Sequence, residues 1–138
     1  VVDVGGVPVG MMVCFDWIFP ESARTLALKG AQVLLHPSNL VLPHCPDSMP
    51  VRCLENRVFA VTANRIGVEA RTGDPLTYIG MSQVVDPGGR ILARAGRDEE
   101  VATAVTIDPA RAADKHITAR NDLFDDRKPH FYALGDGG

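Results

Sequence analysis

Gly10-Met-Met-Val-Cys14-Phe-Asp-Trp-Ile-Phe-Pro20-Glu21 decides how this 138-residue chain is read. Val7, Val9, Met11 and Val13 recur at every second position and run on through Met12 into Cys14, which is the pattern of a buried strand. The strand then stops. Pro20 suits a first helical turn, Glu21-Ser-Ala-Arg-Thr-Leu-Ala-Leu-Lys29 follows, and Gly30 supplies a C-terminal cap. A cysteine therefore stands where a strand breaks into a helix, at the carboxyl edge of a sheet. Such a bend gathers backbone N–H groups and the positive end of a helix. A thiolate nucleophile needs both, because a lowered thiol pKa takes nearby positive potential and a tetrahedral adduct takes hydrogen-bond donors. In an apolar run the competing role for a cysteine is that of a small core hydrophobe.

Upstream of this stretch, Val1 to Val4, Gly5-Gly6 and Val7 to Val13 predict a hairpin about a Gly-Gly turn. Downstream, a helix over Pro20 to Lys29 places Ala23, Leu26 and Ala27 on one stripe and turns Arg24 and Lys29 away from it. Gln32-Val-Leu-Leu-His36 reads as a short buried strand ended by Pro37. Strand, helix and strand in so few residues imply a parallel crossover, hence an α/β fold with a mixed sheet. The prolines between Pro37 and Pro50 predict a long ordered loop, Met49 to Arg57 a helix, and Val58 to Ala63 a strand ending at Asn64, which faces the same way as His36. Further strands are expected over Tyr78 to Asp86, over Arg90 to Ala95 across a tight Pro87-Gly88-Gly89 turn, and over Val101 to Ile107. Asp108-Pro109 starts a short helix to about Lys115, and the polar stretch 117–138 reads as a solvated tail.

A formal net charge of −3 with scattered Lys and Arg gives no basic face and argues against a nucleic-acid partner. No run approaches the length of a membrane span and no signal segment opens the chain, so a cytoplasmic protein without membrane contact is expected. Cys14, Cys45 and Cys53 lack paired spacing and read as reduced thiols. His44-Cys45 has no second pair at ligand spacing, so no metal is expected. Without a glycine-rich phosphate loop, no nucleotide cofactor is expected either. Gly80-Met-Ser82 lacks the closing glycine of a serine-hydrolase elbow and precedes a strand. Glu55, between Arg52 and Arg57, reads as an ion-pair partner in the framework rather than a base.

The stretch around Cys14 resembles the nucleophile motif of the nitrilase superfamily, the carbon–nitrogen hydrolases. The resemblance continues in the family's order through Arg24-Thr-Leu-Ala-Leu-Lys-Gly-Ala31, His36-Pro-Ser-Asn39, Arg52-Cys-Leu-Glu-Asn56, Ala63-Asn-Arg-Ile-Gly67, Gly80-Met-Ser82, Asp86-Pro-Gly-Gly89 and Asp126-Arg-Lys-Pro-His-Phe-Tyr132. It implies a four-layer α-β-β-α sandwich of which residues 1–138 form the C-terminal portion. In that fold 117–138 is an extended tail reaching a second subunit, with Phe124, Phe131 and Tyr132 as anchors of a homo-oligomer. It also implies hydrolysis of a small amide or nitrile to an acid and ammonia through a thioester, with no cofactor. Cys14 is then the nucleophile, the Phe15 backbone N–H an oxyanion donor, and Trp17, Ser38, Asn39 and Asn64 candidates for the pocket wall, while Asp16 ties the turn together. Many members carry arginine where Ile18 stands, so a substrate without a carboxylate is expected.

The family's general-base glutamate and adduct-stabilising lysine precede its cysteine. Here the residues before Cys14 include one acid, Asp3, and no lysine, and the chain enters strand-like sequence at Val1 as if cut from something longer. The alternative expectation is therefore a catalytically incomplete fragment with a structural or assembly role. Half of such a sandwich leaves an apolar face open, which predicts association with a partner or a second copy.

Overall fold

A computed structural model describes residues 1–71 and 73–132. Val2–Val4 (β1) and Val7–Met11 (β2) form the expected antiparallel hairpin about Gly5 and Gly6. The chain then bends through one 3-10 turn, Cys14–Ile18, into helix α1, Pro20–Leu28. Pro20 lies in the first turn, where its missing N–H costs nothing, and Gly30 follows the last turn at φ 90°. Gly10 lets α1 sit close on β2. A Cβ there would meet Leu34 at 3.1 Å, Leu26 at 3.2 Å and Ala31 at 3.3 Å. Arg24, expected to turn away from the buried stripe, instead reaches inward: its Nη2 donates to the Glu55 carbonyl at 2.6 Å and its guanidinium stands 5.3 Å from the Phe124 ring centre.

Val33–Ser38 (β3) pairs in parallel with β2 on one side, giving the crossover the sequence implies. Its run continues through Pro37 instead of ending before it. The Leu35 carbonyl faces β2, where it accepts from Met12 N, and Pro37 has the same orientation two residues later. Since β2 ends at Met11, opposite Leu35, the N–H that Pro37 lacks would have had no ladder partner there.

Helix α2, Cys45–Asn56, begins at Cys45 rather than Met49, so the loop after β3 is shorter than the prolines suggest. Pro46 sits in its first turn. Pro50 lies inside it and removes the N–H that would reach back to the Pro46 carbonyl. That carbonyl accepts instead from Gln83 Nε2 at 3.0 Å and Arg94 Nη2 at 2.7 Å, so the helix passes the proline with its backbone satisfied.

Phe59–Asn64 (β4) pairs in parallel with β3. Val68–Glu69 (β5) and Leu76–Thr77 (β6) form a separate small hairpin. The strand expected over Tyr78 to Asp86 shrinks to Gln83–Val85 (β7), because Gly80 and Met81 take φ of 58° and 57° and break the extended run. Ile91–Arg94 (β8) answers it in antiparallel fashion across the Pro87-Gly88-Gly89 turn. The strand order is β1-β2-β3-β4-β7-β8.

Val101 to Ile107, despite its alternation, joins no ladder among the described residues. It flanks a cleft over β4, β7 and β8 that Val101 to Thr103 line together with Val61, Val84 and Ala93. The helix expected over Asp108 to Lys115 is one 3-10 turn, Pro109–Ala112, whose Ala110 N–H donates to the Asp108 carboxylate at 3.1 Å. In the polar stretch, His116–Thr118 (β9) and Asn121–Asp122 (β10) pair as a short hairpin, while 133–138 lie outside the described residues.

Helices α1 and α2 cover one face of the sheet, where Met12, Leu34, Ala60 and Val85 pack with Ala27, Met49 and Cys53. On the other face Ile107 and Ala112 pack on Val9, Val33 and Phe59, and much of the rest stays exposed. The fold is thus mixed α/β, with a helical layer on one side of a mixed sheet.

Candidate active site

The bend that carries Cys14 is a held conformation. Cys14 has φ 48°, a region that residues with a side chain rarely enter, and its side chain is half-buried at the rim of the helix-side core. Asp16 fastens the bend from within: its carboxylate accepts from Val13 N at 2.8 Å while its own N–H donates to the Val13 carbonyl at 3.0 Å. This is the tying role its position suggests. Phe15 N–H lies in the first turn ahead of its first internal bond, the one from Asp16 N–H to the Val13 carbonyl, and so has no partner within the turn. Arg52 holds the far end, donating to the Trp17 carbonyl at 3.2 Å and the Ile18 carbonyl at 3.4 Å. Its other nitrogen pairs with Glu55 at 3.1 Å, so Glu55 is occupied as an ion-pair partner, while Arg57 turns to the Asp114 carbonyl.

The carboxyl ends of β2, β3 and β4 lie side by side and bring several candidates together. His36 is buried against the bend: Nε2 lies 2.8 Å from the Cys14 carbonyl and Nδ1 3.2 Å from Thr62 Oγ1. Burial pushes its pKa below 6.5, against the opposing pull of the Cys14 carbonyl and Asp16, and so favours the neutral ring. Ser38 Oγ is 3.0 Å from the same Nε2. Asn64 pairs with Ser38 across the strands, but both ends of its amide are engaged, Oδ1 by Leu40 N at 2.8 Å and Nδ2 by the Gly80 carbonyl at 2.7 Å. Asn39 is exposed in the loop after β3. Trp17 is buried in the helix-side core, with no hydrogen-bond partner for its Nε1–H among the described residues.

Beside the bend a shallow cleft of about 380 Å³ is lined by Met12, Asp16, Glu21, Ser22 and Thr25. Asp16, the acid nearest to Cys14 in sequence, is engaged as above, and Asp3, the one acid before Cys14, accepts from Gly6 N at 3.0 Å in the hairpin turn, while Glu21 lines the cleft. Cys45 and Cys53 are fully buried, and burial drives the Cys45 thiol up to about 12. Among the described residues no cluster of His, Cys, Asp or Glu is arranged to hold a metal, and no helix is long and apolar enough to cross a membrane.

A family profile described as carbon-nitrogen hydrolase matches residues 1–116. The chain belongs to the carbon-nitrogen hydrolase family. This carbon-nitrogen hydrolase chain is 48% identical over 132 residues to a nitrilase of Pyrococcus abyssi, covering 96% of itself and 49% of that protein. It is 41% identical over 97 residues to an (R)-stereoselective amidase of Pseudomonas sp, covering 68% of itself and 34% of that protein. Among solved structures it resembles a variant of the amidase from Nesterenkonia sp. AN1 that shows Michael addition of acrylamide at the active-site cysteine. There the TM-score is 0.64 at 34% identity, over 70% of this chain and 38% of the other. The carbon-nitrogen hydrolase chain spans about half the length of the curated relatives it matches, or less.

His36 and Thr62 were given no role by the sequence, yet they join the bend to two strands. Their pattern signal is real: both occupy the helix-facing parity of their strands near the carboxyl ends. What the sequence lacked was the lateral register that sets β3 beside the end of β2.

Proposed function

We propose that the protein to which this chain contributes hydrolyses a small neutral amide or nitrile to the acid and ammonia, with Cys14 as nucleophile. The observation that carries this reading is the held, left-handed bend at Cys14, half-exposed at the carboxyl end of β2, with the Phe15 N–H in the first turn directly after it. In the proposed course, a base takes the Cys14 proton and the thiolate adds to the amide carbon. The Phe15 N–H stabilises the oxyanion, the C–N bond breaks as nitrogen takes a proton and leaves as ammonia, and water then cleaves the thioester to acid and free thiol. With a nitrile the first adduct is a thioimidate, which takes up water before ammonia leaves. Ser38 and Asn39 are proposed for the pocket wall, with Trp17 packed behind it in the helix-side core. Asn64 is proposed to shape that wall through its ties to Leu40 and Gly80.

The base is proposed to be a glutamate, with a lysine beside it, from sequence outside this chain, as the family resemblance implies; within the chain Asp3 and Asp16 are both tied to backbone N–H groups. That same observation favours the second reading, a catalytically incomplete fragment when the chain stands alone. Phe131, 75% exposed, and Tyr132 are proposed as contacts to a second copy.

The test is ammonia release from short aliphatic amides and nitriles by the intact encoded protein and by Cys14→Ala. A loss of about 10⁴-fold or more is expected, as for other nucleophiles that act as one unit with their base. Equal rates would remove Cys14 from the chemistry. The 138-residue chain by itself is expected to turn over little.

A further inference from the structure

We infer that His36 is a positioning residue for Cys14, fixing the nucleophile's backbone in its left-handed bend through a hydrogen bond to the Cys14 carbonyl. The inference rests on the proposal that Cys14 is the nucleophile. A non-glycine residue in this region is strained and persists only when its surroundings over-determine it. On the N-terminal side of Cys14 the restraint is the Asp16 carboxylate on Val13 N. On the C-terminal side it is His36 Nε2 on the Cys14 carbonyl, 2.8 Å away.

The surroundings of the ring fix its tautomer. A carbonyl oxygen can only accept, so Nε2 carries the hydrogen. Nδ1 is then a lone pair, satisfied by the Thr62 hydroxyl at 3.2 Å. Ser38 Oγ, 3.0 Å from Nε2, can point its own hydrogen at the His36 carbonyl 3.4 Å away and leave a lone pair toward the ring. For the neutral ring one tautomer satisfies every contact, and the ring is 1% exposed.

This arrangement also denies His36 the role that a histidine beside a cysteine invites. Nε2 already holds a proton and spends it on the carbonyl, and Nδ1 faces Thr62 on β4. Neither nitrogen is free to take the thiol proton, so the pair is not a cysteine–histidine dyad. The ring acts on the backbone of Cys14, and through it on where the sulfur and the Phe15 N–H sit relative to each other. A displacement of about 1 Å between reacting groups is enough to cost about 10²-fold in rate.

Gln and Asn substitutions separate this role from simple core filling. The amide nitrogen of His36→Gln reaches the position of Nε2, whereas that of His36→Asn reaches only the position of Nδ1. In the intact encoded protein, ammonia release by His36→Gln should keep kcat within about threefold of wild type with an unchanged pH profile. His36→Asn should lose about 10²-fold in kcat with KM changed less than about threefold. If the two variants fall within threefold of each other, or Asn exceeds Gln, the positioning role is wrong. If Gln is inactive and the pH profile loses a limb near neutrality in Asn, His36 is a proton carrier and the inference is likewise overturned. Cys14→Ala measured alongside keeps the two readings apart. Full activity in that variant sinks the nucleophile itself, whereas an inactive Cys14→Ala with matching Gln and Asn rates sinks only the role of His36.

Discussion

Leu34 and Leu35 are neighbours on one strand and meet opposite fates. Leu34 points under α1 and α2 and is 0% exposed, while Leu35 points to the other face and is 37% exposed. The contrast runs along the sheet. Met12, Ala60 and Val85 are sealed beneath the helices, but Val2, Val4 and Met11, which share the face of Val9 and Val33, are more than half exposed. Both faces are written in apolar residues, and this chain's own elements finish one of them. A contiguous exposed patch of this kind marks a surface meant to be covered. The comparison is broken most simply at the two leucines. Leu34→Ala is expected to cost about 2–5 kcal/mol of unfolding free energy, and Leu35→Ala about 1 kcal/mol or less in the 138-residue chain. Urea titration reads both. Equal costs would mean that the second face is already covered in solution, by a second copy or by rearrangement.

What was legible in the sequence is what is local. The Gly5-Gly6 hairpin, α1 between Pro20 and Gly30, and the Pro87-Gly88-Gly89 turn each follow from residues within a few positions of one another, and each stands where expected. Cys14 at the bend was legible for the same reason, since strand, turn residues and helix start are contiguous. Several of the departures have distant causes. Pro37 stays inside β3 because β2 happens to end opposite Leu35. α2 runs through Pro50 because Gln83 and Arg94, on β7 and β8, take the carbonyl that the proline strands. Val101 to Ile107 has a strand's pattern, and pattern alone cannot supply an edge to pair with. His36 belongs to this second group, since its partner is the Cys14 carbonyl 22 positions away.

The helix-covered face depends on that stranded carbonyl, which gives a sharper and smaller test. Arg94→Ala removes the 2.7 Å donor to the Pro46 carbonyl and frees Gln83 Oε1, which it also holds at 2.9 Å. The expected cost is about 1–3 kcal/mol, the range for leaving a buried polar group short of a partner. Pro50→Ala restores an N–H that can serve the same carbonyl from within α2. In that background Arg94→Ala should cost about half as much, a coupling that a double-mutant cycle in urea measures directly. Strict additivity would show that Arg94 matters for something other than the gap left by Pro50.

The smallest effect lies on the open face, where a clip adds to the packing of Ile107 and Ala112 in holding the segment Ile107 to Ala112. Arg111 donates to Asp86 Oδ2 at 3.2 Å, and Arg90 approaches the same oxygen at 3.3 Å, while Gly88 N and Arg90 N donate to Oδ1 at 2.9 and 3.0 Å. Burial pushes the Asp86 carboxyl up, but the amides of Arg90 and Gly88 and the two guanidiniums outweigh it and hold the group below its usual 3.8. A carboxyl depressed in the folded state contributes stability above its unfolded value and loses it as pH falls through the folded one. Since the Arg111 side chain is 50% exposed, the clip is screened by water and salt, and Arg111→Gln should cost about 1 kcal/mol or less at neutral pH. Comparing urea midpoints at neutral pH with midpoints at successively lower pH below 3.8, the gap between wild type and variant should shrink as the acid end is approached and narrow with added salt. A gap that ignores both pH and salt would assign the contribution to packing of the Arg111 side chain over Phe59, whose ring centre lies 5.7 Å from the guanidinium carbon, and would leave Asp86 a local turn former with no hold on the open face.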